Sequence, residues 1–504
     1  MAKVLVCLNT GYNKFQSAMR KILYTDFYLV TVSIVTFFGW LVGWLLDQAH
    51  LQQNPDSLTR SPYGAVISVL IACAVLLTAD DILPLTINIF SAALLVYSDN
   101  IQNYIYLWPL IIPFVICCII FAIKNGRHKF NKGRLFWPFI AVIYAMLIGG
   151  AGVMIKQDFI RVIPEFLMLG LGVPAIYLLY NHFLKDDAKR DIPLYFAKSM
   201  MYIGLVMCFQ LITVITKSNV PIREWYNTAW ETGWANRNLI ATCLVFTAGM
   251  TAYLSTRYRQ GWIFIGLSVF QYACLILTFS RGGILFGAIS AVLVIAFTFI
   301  KAPKKIIHGV YLVIVAFVTL IIYIALKDDI NAVFVSLLDR GFGTSGRDVL
   351  YKEAIELFKA HPLFGVGRGY LGPNYKLNSV GVYWFHSTVL QVAATMGIVG
   401  LAAYAYYYYV RFAILFKNFK YSFNLFCLAI FVGFEGYSLI NVGTMRAYPC
   451  MMLVVVMVLL MERIPQDYSG YVTPYNYSTP WGGIIAEKEH AFAEKIRAKY
   501  NLKK

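Results

Sequence analysis

The sequence predicts an all-α polytopic integral membrane protein, with about 12–14 transmembrane helices and one large exterior loop that contains short helices. Of its 504 residues, 59% are hydrophobic and only 13% are charged, whereas a soluble globular chain is about 45–50% apolar and about 25% charged. Such a chain has too little polar surface to cover a water-soluble body. The same composition excludes a disordered chain, a collagen and a disulfide scaffold.

A series of fourteen apolar runs is the second observation, and most of them approach the roughly 20 residues that a helix needs to cross a bilayer. The runs lie near 26–46, 62–79, 82–98, 105–123, 135–155, 162–180, 193–215, 239–255, 261–280, 283–300, 306–326, 387–410, 422–440 and 447–462. The short pair within 62–98 also fits one hairpin or a re-entrant element. The predicted organisation is an N-terminal segment at 1–25, eleven helices over 26–326, an exterior loop at 327–386, three helices over 387–462 and a tail at 463–504.

The distribution of the 43 lysines and arginines is the third observation. With a cytoplasmic N-terminus, 27 of them fall on the inside and 15 on the outside, and Lys198 is left within a helix. Cytoplasmic loops carry the excess of Lys and Arg, so we expect both termini to be inside. The first apolar run has no small-residue cleavage site and is expected to be a signal anchor. The net charge of +18 therefore reflects membrane orientation, and no nucleic-acid partner is expected.

The nine cysteines lie in predicted helices or in the N-terminal segment, and none lies in an exterior loop. This placement favours small apolar packing residues, because neither a disulfide framework nor a zinc-ligand spacing is present. The adjacent Asp328 and Asp329 are interpreted as a solvated helix boundary, since the loop contains no separated pair of aspartates. We therefore predict no metal and no cofactor.

Arg281 is the first candidate functional residue, in the segment 278–283 (TFSRGG) between two apolar runs at the predicted outer interface. In one interpretation it is a turn residue whose side chain snorkels to the interface. In the other it is an anion clamp that faces a cavity, and the two glycines after it allow close backbone approach. Both interpretations remain open at this point.

The exterior loop is predicted to contain an amphipathic helix over 349–361 that ends at Pro362. Ser345 and Asp348 have the spacing of a capping box. Arg347 then lies in the first turn, where free N–H groups and the helix dipole favour an anion. The glycine-rich segment that follows, which includes Arg368, predicts a tight loop rather than a dinucleotide site, because no strand precedes it.

His386 and Glu435 are two further candidates. His386 closes the loop among aromatic residues, and it is either a structural interfacial residue or the group that transfers a proton near neutral pH. Glu435 lies in the middle of an apolar run, where an unpaired carboxylate is costly. We therefore expect it to pair with an arginine, for which Arg446 is a candidate, or to line a cavity.

Two arginines and one histidine on the same outer face indicate a particular chemistry. Guanidinium groups would bind a lipid diphosphate, and His386 would remove a proton from an incoming hydroxyl. The diphosphate is already a good leaving group, so neither a general acid nor a metal is required.

With these residues the sequence resembles the bacterial O-antigen ligase/polymerase superfamily, which are integral membrane glycosyltransferases that use undecaprenyl-diphosphate-linked glycans. Three motifs over roughly 230–405 carry the resemblance: 236–241 (NRNLIA), 278–282 (TFSRG), and the large loop with Arg347, 362–367 (PLFGVG) and His386-Ser387 followed by Gly397 and Gly400. The last string is the most specific of the three.

The resemblance implies that Arg281 and Arg347 bind the diphosphate and that His386 is the base or its organiser. Arg368, Glu435, Arg446 and Asn238 are weaker candidates. It also implies inverting, metal-independent transfer at the outer face of the bacterial cytoplasmic membrane. The implied partners are an undecaprenyl-diphosphate-linked glycan donor, a lipid or glycan acceptor, and membrane lipids.

The acceptor is left open by the sequence, because ligases, which use lipid A–core, share these motifs with polymerases, which extend a lipid-linked chain. A transporter or flippase of lipid-linked glycans is the alternative from another class. Transporters typically place substrate sites near the bilayer midplane between repeated halves. The absence of such a repeat, and the grouping of polar residues at one face, favour an enzyme.

Overall fold

The computed structural model describes residues 19, 21–53, 63–95, 109–126, 131–153, 163, 166–185, 191–228, 230, 232–258, 260–302, 305–339, 347–372, 383–441, 443 and 447–463. The α-helices of this part of the chain are α1 (Asp26–Gln53), α2 (Tyr63–Thr78), α3 (Leu85–Leu94), α4 (Ile111–Asn125), α5 (Phe136–Ile148), α6 (Val173–Phe183), α7 (Ile192–Lys217), α8 (Arg237–Leu254), α9 (Gly261–Leu277), α10 (Arg281–Lys301), α11 (Lys305–Ala325), α12 (Lys327–Asp339), α13 (Arg347–Ala360), α14 (Thr388–Lys417), α15 (Ser422–Leu439) and α16 (Met452–Arg463). A 3₁₀ turn at Ile222–Asn227 lies between α7 and α8, and π-helical turns at Phe166–Gly172 and Ala447–Met451 lead into α6 and α16.

The predicted all-α polytopic class is confirmed. Within the described residues, seven helical segments are long and apolar enough to cross a membrane: Asp26–Asp47, Phe166–Phe183, Ile192–Lys217, Arg281–Lys301, Lys305–Ala325, Thr388–Lys417 and Ser422–Leu439. A helix lies at each of the fourteen predicted runs, but several are shorter than a span. Helix α3, with ten residues, is about 15 Å long, roughly half of the hydrocarbon thickness. The number of crossings therefore stays a prediction.

Helix α8 lies at the centre of the bundle and packs against α7, α9, α10 and α15. All of its residues from Ile240 to Leu254 are buried. Gly249 lets α8 approach α15 closely, because a Cβ at this position would collide with the side chain of Ile430. At the other extreme, α11 buries little of its surface, as expected for a helix that faces lipid.

The eight cysteines of the described residues are free thiols, as the sequence predicted, while Cys7 lies outside the described residues. Lys198, which the sequence left inside a helix, forms an ion pair with Asp26 at 2.6 Å between α7 and α1. Arg257 pairs with Asp191 at 2.6 Å near the same end of α7. These ion pairs neutralise buried charges at the end of the bundle where α7 begins.

Helices α8, α10 and α14 all begin at one end of the bundle, where α15 ends. Each of the three has a polar cap. The Asn236 side chain accepts hydrogen bonds from the backbone N–H groups of the first turn of α8. Ser280 Oγ accepts one from Gly283 N at 3.3 Å, and Ser387 Oγ accepts one from Leu390 N. Since such caps satisfy free N–H groups, the motifs singled out in the sequence are helix starts that meet at one face.

Helix α14 is broken at Gly397, whose backbone is non-helical (φ 63°, ψ −155°). The segment 362–367 fills the break with four backbone hydrogen bonds. They are Ile398 N to Pro362 O (2.8 Å), Val399 N to Leu363 O (3.3 Å), Val366 N to Ala394 O (2.8 Å) and Gly367 N to Thr395 O (3.0 Å). The loop therefore supplies the partners that a continuous helix would have supplied, as required in a region where water is scarce.

We expect Gly365→Ala to destabilise the protein far more than Gly152→Ala. Both glycines have positive φ, 63° and 79°. A Cβ at Gly365 would lie 2.5 Å from Ala394 O and Met396 N, whereas nothing lies within 4 Å of one at Gly152. The melting temperatures of the two purified variants in detergent measure the difference. Equal shifts would contradict the tight contact between this loop and α14.

Candidate active site

A chain of polar side chains joins the starts of α8 and α10 to the end of α15. Ser280 Oγ donates to Asn238 Oδ1 at 2.8 Å and lies 3.1 Å from Tyr437 Oη. Asn441 Nδ2 donates to the same tyrosine hydroxyl at 2.8 Å. Asn238 and the 278–283 motif, which are separate in sequence, are therefore in direct contact.

Arg281 is the first residue of α10 and is half-buried. The next residue, Gly282, lies so close to α15 that a Cβ there would be 2.6 Å from side-chain atoms of both Tyr437 and Ile440. The first turn of α10 thus lies directly against the last turn of α15. Arg281 starts a helix at this contact, where backbone N–H groups and the helix dipole favour an anion.

Arg347 is the first described residue of α13 and reaches the same place from the exterior loop. Its Nη1 donates a hydrogen bond to the backbone oxygen of Ile440, just past the end of α15. The predicted helix over 349–361 is confirmed as α13, two residues earlier at its start. Ser345, the proposed capping residue, lies outside the described residues.

Arg237 lies within the 236–241 motif, and no role was predicted for it from the sequence. It is the first residue of α8, after the Asn236 cap. Arg237 and Arg347 both lie near enough to Tyr437 to act on its hydroxyl electrostatically. As the structure describes them, three helices thus begin with an arginine around the last turn of α15. The position of Arg237 directly after a capping asparagine could have identified it from the sequence.

His386 lies beside this group, in a turn stabilised from α13. Tyr351 Oη donates to the backbone oxygen of His386 at 3.2 Å. Tyr351 is four residues after Arg347, so the two side chains share one face of α13, with Cβ atoms about 5–6 Å apart. His386 is half-buried and has a positive φ of 51°. The structure therefore attaches the His386 turn to α13 at a residue one helical turn along from Arg347.

Arg368 follows the segment that fills the break in α14, and only 3% of it is exposed. Its guanidinium carbon lies 5.2 Å from the ring centroid of Trp384. Burial lowers its pKa to about 10, and the nearby Tyr404 opposes this shift. Arg368 remains protonated at neutral pH, as a buried cation directly after the segment that fills the break in α14.

Glu435 pairs with an arginine, as expected, and that arginine is Arg411. Arg446, the candidate that the sequence suggested, lies outside the described residues. Its Oε1 is 2.7 Å from Arg411 Nη1, and Tyr408 Oη donates to its Oε2 at 2.8 Å. The sequence placed Arg411 in an inside loop, but α14 continues to Lys417 and Arg411 is fully buried. Four aromatic rings surround its guanidinium, those of Tyr407, Tyr408, Phe412 and Phe431.

Glu435 also lines a cavity of about 340 Å³ between α14 and α15, so both alternatives expected for this residue are met. The cavity is mainly apolar, with Tyr408 and Glu435 on its wall and Thr388 at one end. Thr388 is the first residue of α14, two residues after His386. The cavity therefore extends from the first residues of α14 along the contact between α14 and α15.

The family model described as O-Antigen ligase matches residues 263–405. The matched segment contains Arg281, Arg347 and His386, and it includes the break in α14 with the loop that fills it. No curated protein matches the chain. The match confirms the resemblance to the O-antigen ligase/polymerase superfamily.

Proposed function

We propose that the protein is an O-antigen ligase-like membrane glycosyltransferase, which transfers a glycan from an undecaprenyl-diphosphate donor to an acceptor hydroxyl. The match of residues 263–405 to the family model described as O-Antigen ligase supports this proposal. The acceptor is lipid A–core, a growing polysaccharide chain or another surface glycan. Transfer occurs at the outer face of the bacterial cytoplasmic membrane, with both termini of the protein inside.

The observation that carries this proposal is the arginine at the start of each of α8, α10 and α13. A helix N-terminus carries roughly +0.5 elementary charge and is stabilised by anions, not by cations. Arg237, Arg281 and Arg347 therefore add positive charge where each helix is already positive. A doubly phosphorylated ligand would relieve this repulsion, and guanidinium groups bind phosphate oxygens with two parallel hydrogen bonds.

The proposed reaction is a single inverting displacement. Arg281 and Arg347 hold the diphosphate, and His386 takes the proton of the acceptor hydroxyl as its oxygen forms a bond to the anomeric carbon. The bond between that carbon and the diphosphate oxygen breaks on the opposite side, and the diphosphate leaves with the electron pair. The arginines stabilise the charge that develops on the leaving group.

A flippase or other transporter of lipid-linked glycans is the second candidate, and the break in α14 favours it. Discontinuous membrane helices are common at transporter binding sites. In this protein, however, the segment 362–367 occupies the break with backbone hydrogen bonds. The break therefore offers few free backbone groups to a substrate.

Reconstitution of the purified protein in liposomes tests the proposal. The liposomes contain undecaprenyl-diphosphate oligosaccharide, with and without lipid A–core. A ladder of longer lipid-linked glycans identifies a polymerase, and a single product that requires lipid A–core identifies a ligase. Movement of labelled donor across the bilayer without any transfer would overturn the proposal in favour of the transporter.

We expect transfer in these liposomes to continue at an unchanged rate after EDTA is added. The diphosphate leaves with its charge stabilised by guanidinium groups, so no divalent cation is needed in the proposed mechanism. The initial rate of product formation with and without EDTA measures this. A loss of activity that Mg²⁺ or Mn²⁺ restores would contradict metal independence.

A further inference from the structure

His386 has a backbone conformation that is uncommon for any residue other than glycine. Its φ of 51° lies in the left-handed region, which costs energy for a residue with a side chain and persists only where the surroundings enforce it. The direction of the imidazole depends on this turn, because the Cα–Cβ bond follows the backbone. The groups that hold the turn therefore decide where the imidazole points.

Gln391, in the first turn of α14, holds the backbone just before His386 with both ends of its amide. Its Oε1 accepts a hydrogen bond from Phe385 N at 2.8 Å, and its Nε2 donates to Tyr383 O at 3.0 Å. Gln391 and Phe385 are both fully buried. Since one amide atom only accepts and the other only donates, the two bonds fix the orientation of both peptide groups.

Helix α14 does not need this side chain to begin. Ser387 Oγ caps its first turn, and Gln391 N already donates to Ser387 O at 2.8 Å. The segment before His386 is also attached to α13, where Glu353 Oε2 accepts from Tyr383 Oη at 2.7 Å. The cap of α14 at Ser387 and the contact between Tyr383 and Glu353 therefore do not depend on the amide of Gln391. The amide orients the backbone that lies between them.

We propose that Gln391 is a positioning residue for His386, holding the strained turn so that the imidazole faces the acceptor hydroxyl. This inference rests on the proposed function. Gln391 does not touch the substrate and acts only through the backbone of residues 383–385. Without it, the turn relaxes toward a less strained conformation and the imidazole moves away from the acceptor.

The test replaces Gln391 with leucine, which has similar bulk and no hydrogen-bonding group. Gln271 provides a matched control, since it is a fully buried glutamine whose Nε2 donates to Thr251 Oγ1 at 3.0 Å, near the end of α8 opposite its Asn236 cap. We expect the kcat of Gln391→Leu to fall by about 10²-fold, the effect of roughly 1 Å of misplacement, with the donor KM unchanged. Gln271→Leu should keep its kcat while losing similar thermal stability.

A second readout does not depend on transfer. The rate at which diethylpyrocarbonate modifies His386, followed by mass spectrometry, should change in Gln391→Leu and stay unchanged in Gln271→Leu. If His386 is not the base, kcat does not respond but this rate still does, so the two failures are distinguishable. Equal modification rates in the wild type and Gln391→Leu would overturn the positioning role.

The variant Gln391→Glu covers the case in which leucine prevents folding. A carboxyl group at this fully buried position stays protonated, so glutamate keeps the acceptor for Phe385 N and its O–H donates to Tyr383 O. A kcat close to that of the wild type is therefore expected. A kcat of Gln391→Glu as low as that of Gln391→Leu would overturn the role of these two hydrogen bonds.

Discussion

His386→Ala is expected to abolish glycan transfer while the protein stays folded in the membrane and still binds the donor. A positioned general base contributes about 10²–10⁴-fold to a rate, and His386 lies in the turn that contacts α13 through Tyr351 and precedes α14. Transfer by reconstituted protein under single-turnover conditions measures the loss, and binding of labelled donor shows that the diphosphate site remains.

The substitution also changes the backbone, because alanine tolerates a φ of 51° less well than histidine does. His386→Asn separates the two effects, since asparagine accepts this conformation and cannot act as a base near neutral pH. His361→Ala is the control, as His361 directly follows the end of α13, outside the His386 turn. Full activity of His386→Asn would exclude His386 as the base.

Arg281→Lys is expected to lower kcat/KM by about 10²–10³-fold, the usual effect of removing one donor to a developing negative charge. Lysine keeps the positive charge but presents a point charge in place of a planar fork, so it cannot bind two phosphate oxygens in parallel. Steady-state kinetics with the lipid-diphosphate donor, together with the affinity for undecaprenyl diphosphate, measure the change.

The matched control is Arg463→Lys, because Arg463 lies at the end of α16, where its Nη1 donates a hydrogen bond to Asn181 O at 2.6 Å. A lysine there can keep that contact, so transfer should be unchanged. Near-normal turnover of Arg281→Lys would indicate that Arg281 is a snorkelling interfacial residue, the other interpretation that the sequence allowed.

Much of the fold follows from local patterns that the sequence shows directly. A helix lies at every predicted apolar run, and α13 begins two residues before the predicted helix and ends one residue before its predicted end. Helices depend on the spacing of apolar residues three and four positions apart, so a short stretch of sequence is enough to predict them. The break in α14 was not predicted, because a glycine at position 397 indicates backbone freedom without showing which loop fills the break.

The partners of charged residues were the least predictable feature. Arg411 was placed in an inside loop because loops carry most membrane-protein cations, but the structure buries it among four aromatic rings beside Glu435. The ion pair removes the cost of each isolated charge. Nothing in the sequence around either residue indicates the other, since they lie on different helices.

The sequence by itself determined that this chain is a polytopic helical membrane protein, and it singled out Arg281, Arg347 and His386 through motifs that match the O-antigen ligase family. Only the tertiary structure decided that Asn238, Ser280 and Tyr437 form one hydrogen-bonded chain, that Arg237 joins the same face, and that Gln391 holds the His386 turn. Hydrophobic periodicity is a local property, because the preference of each residue for the membrane or for water depends on its own side chain. A hydrogen-bond partner 157 residues away, such as Tyr437 for Ser280, exists only after helices have packed.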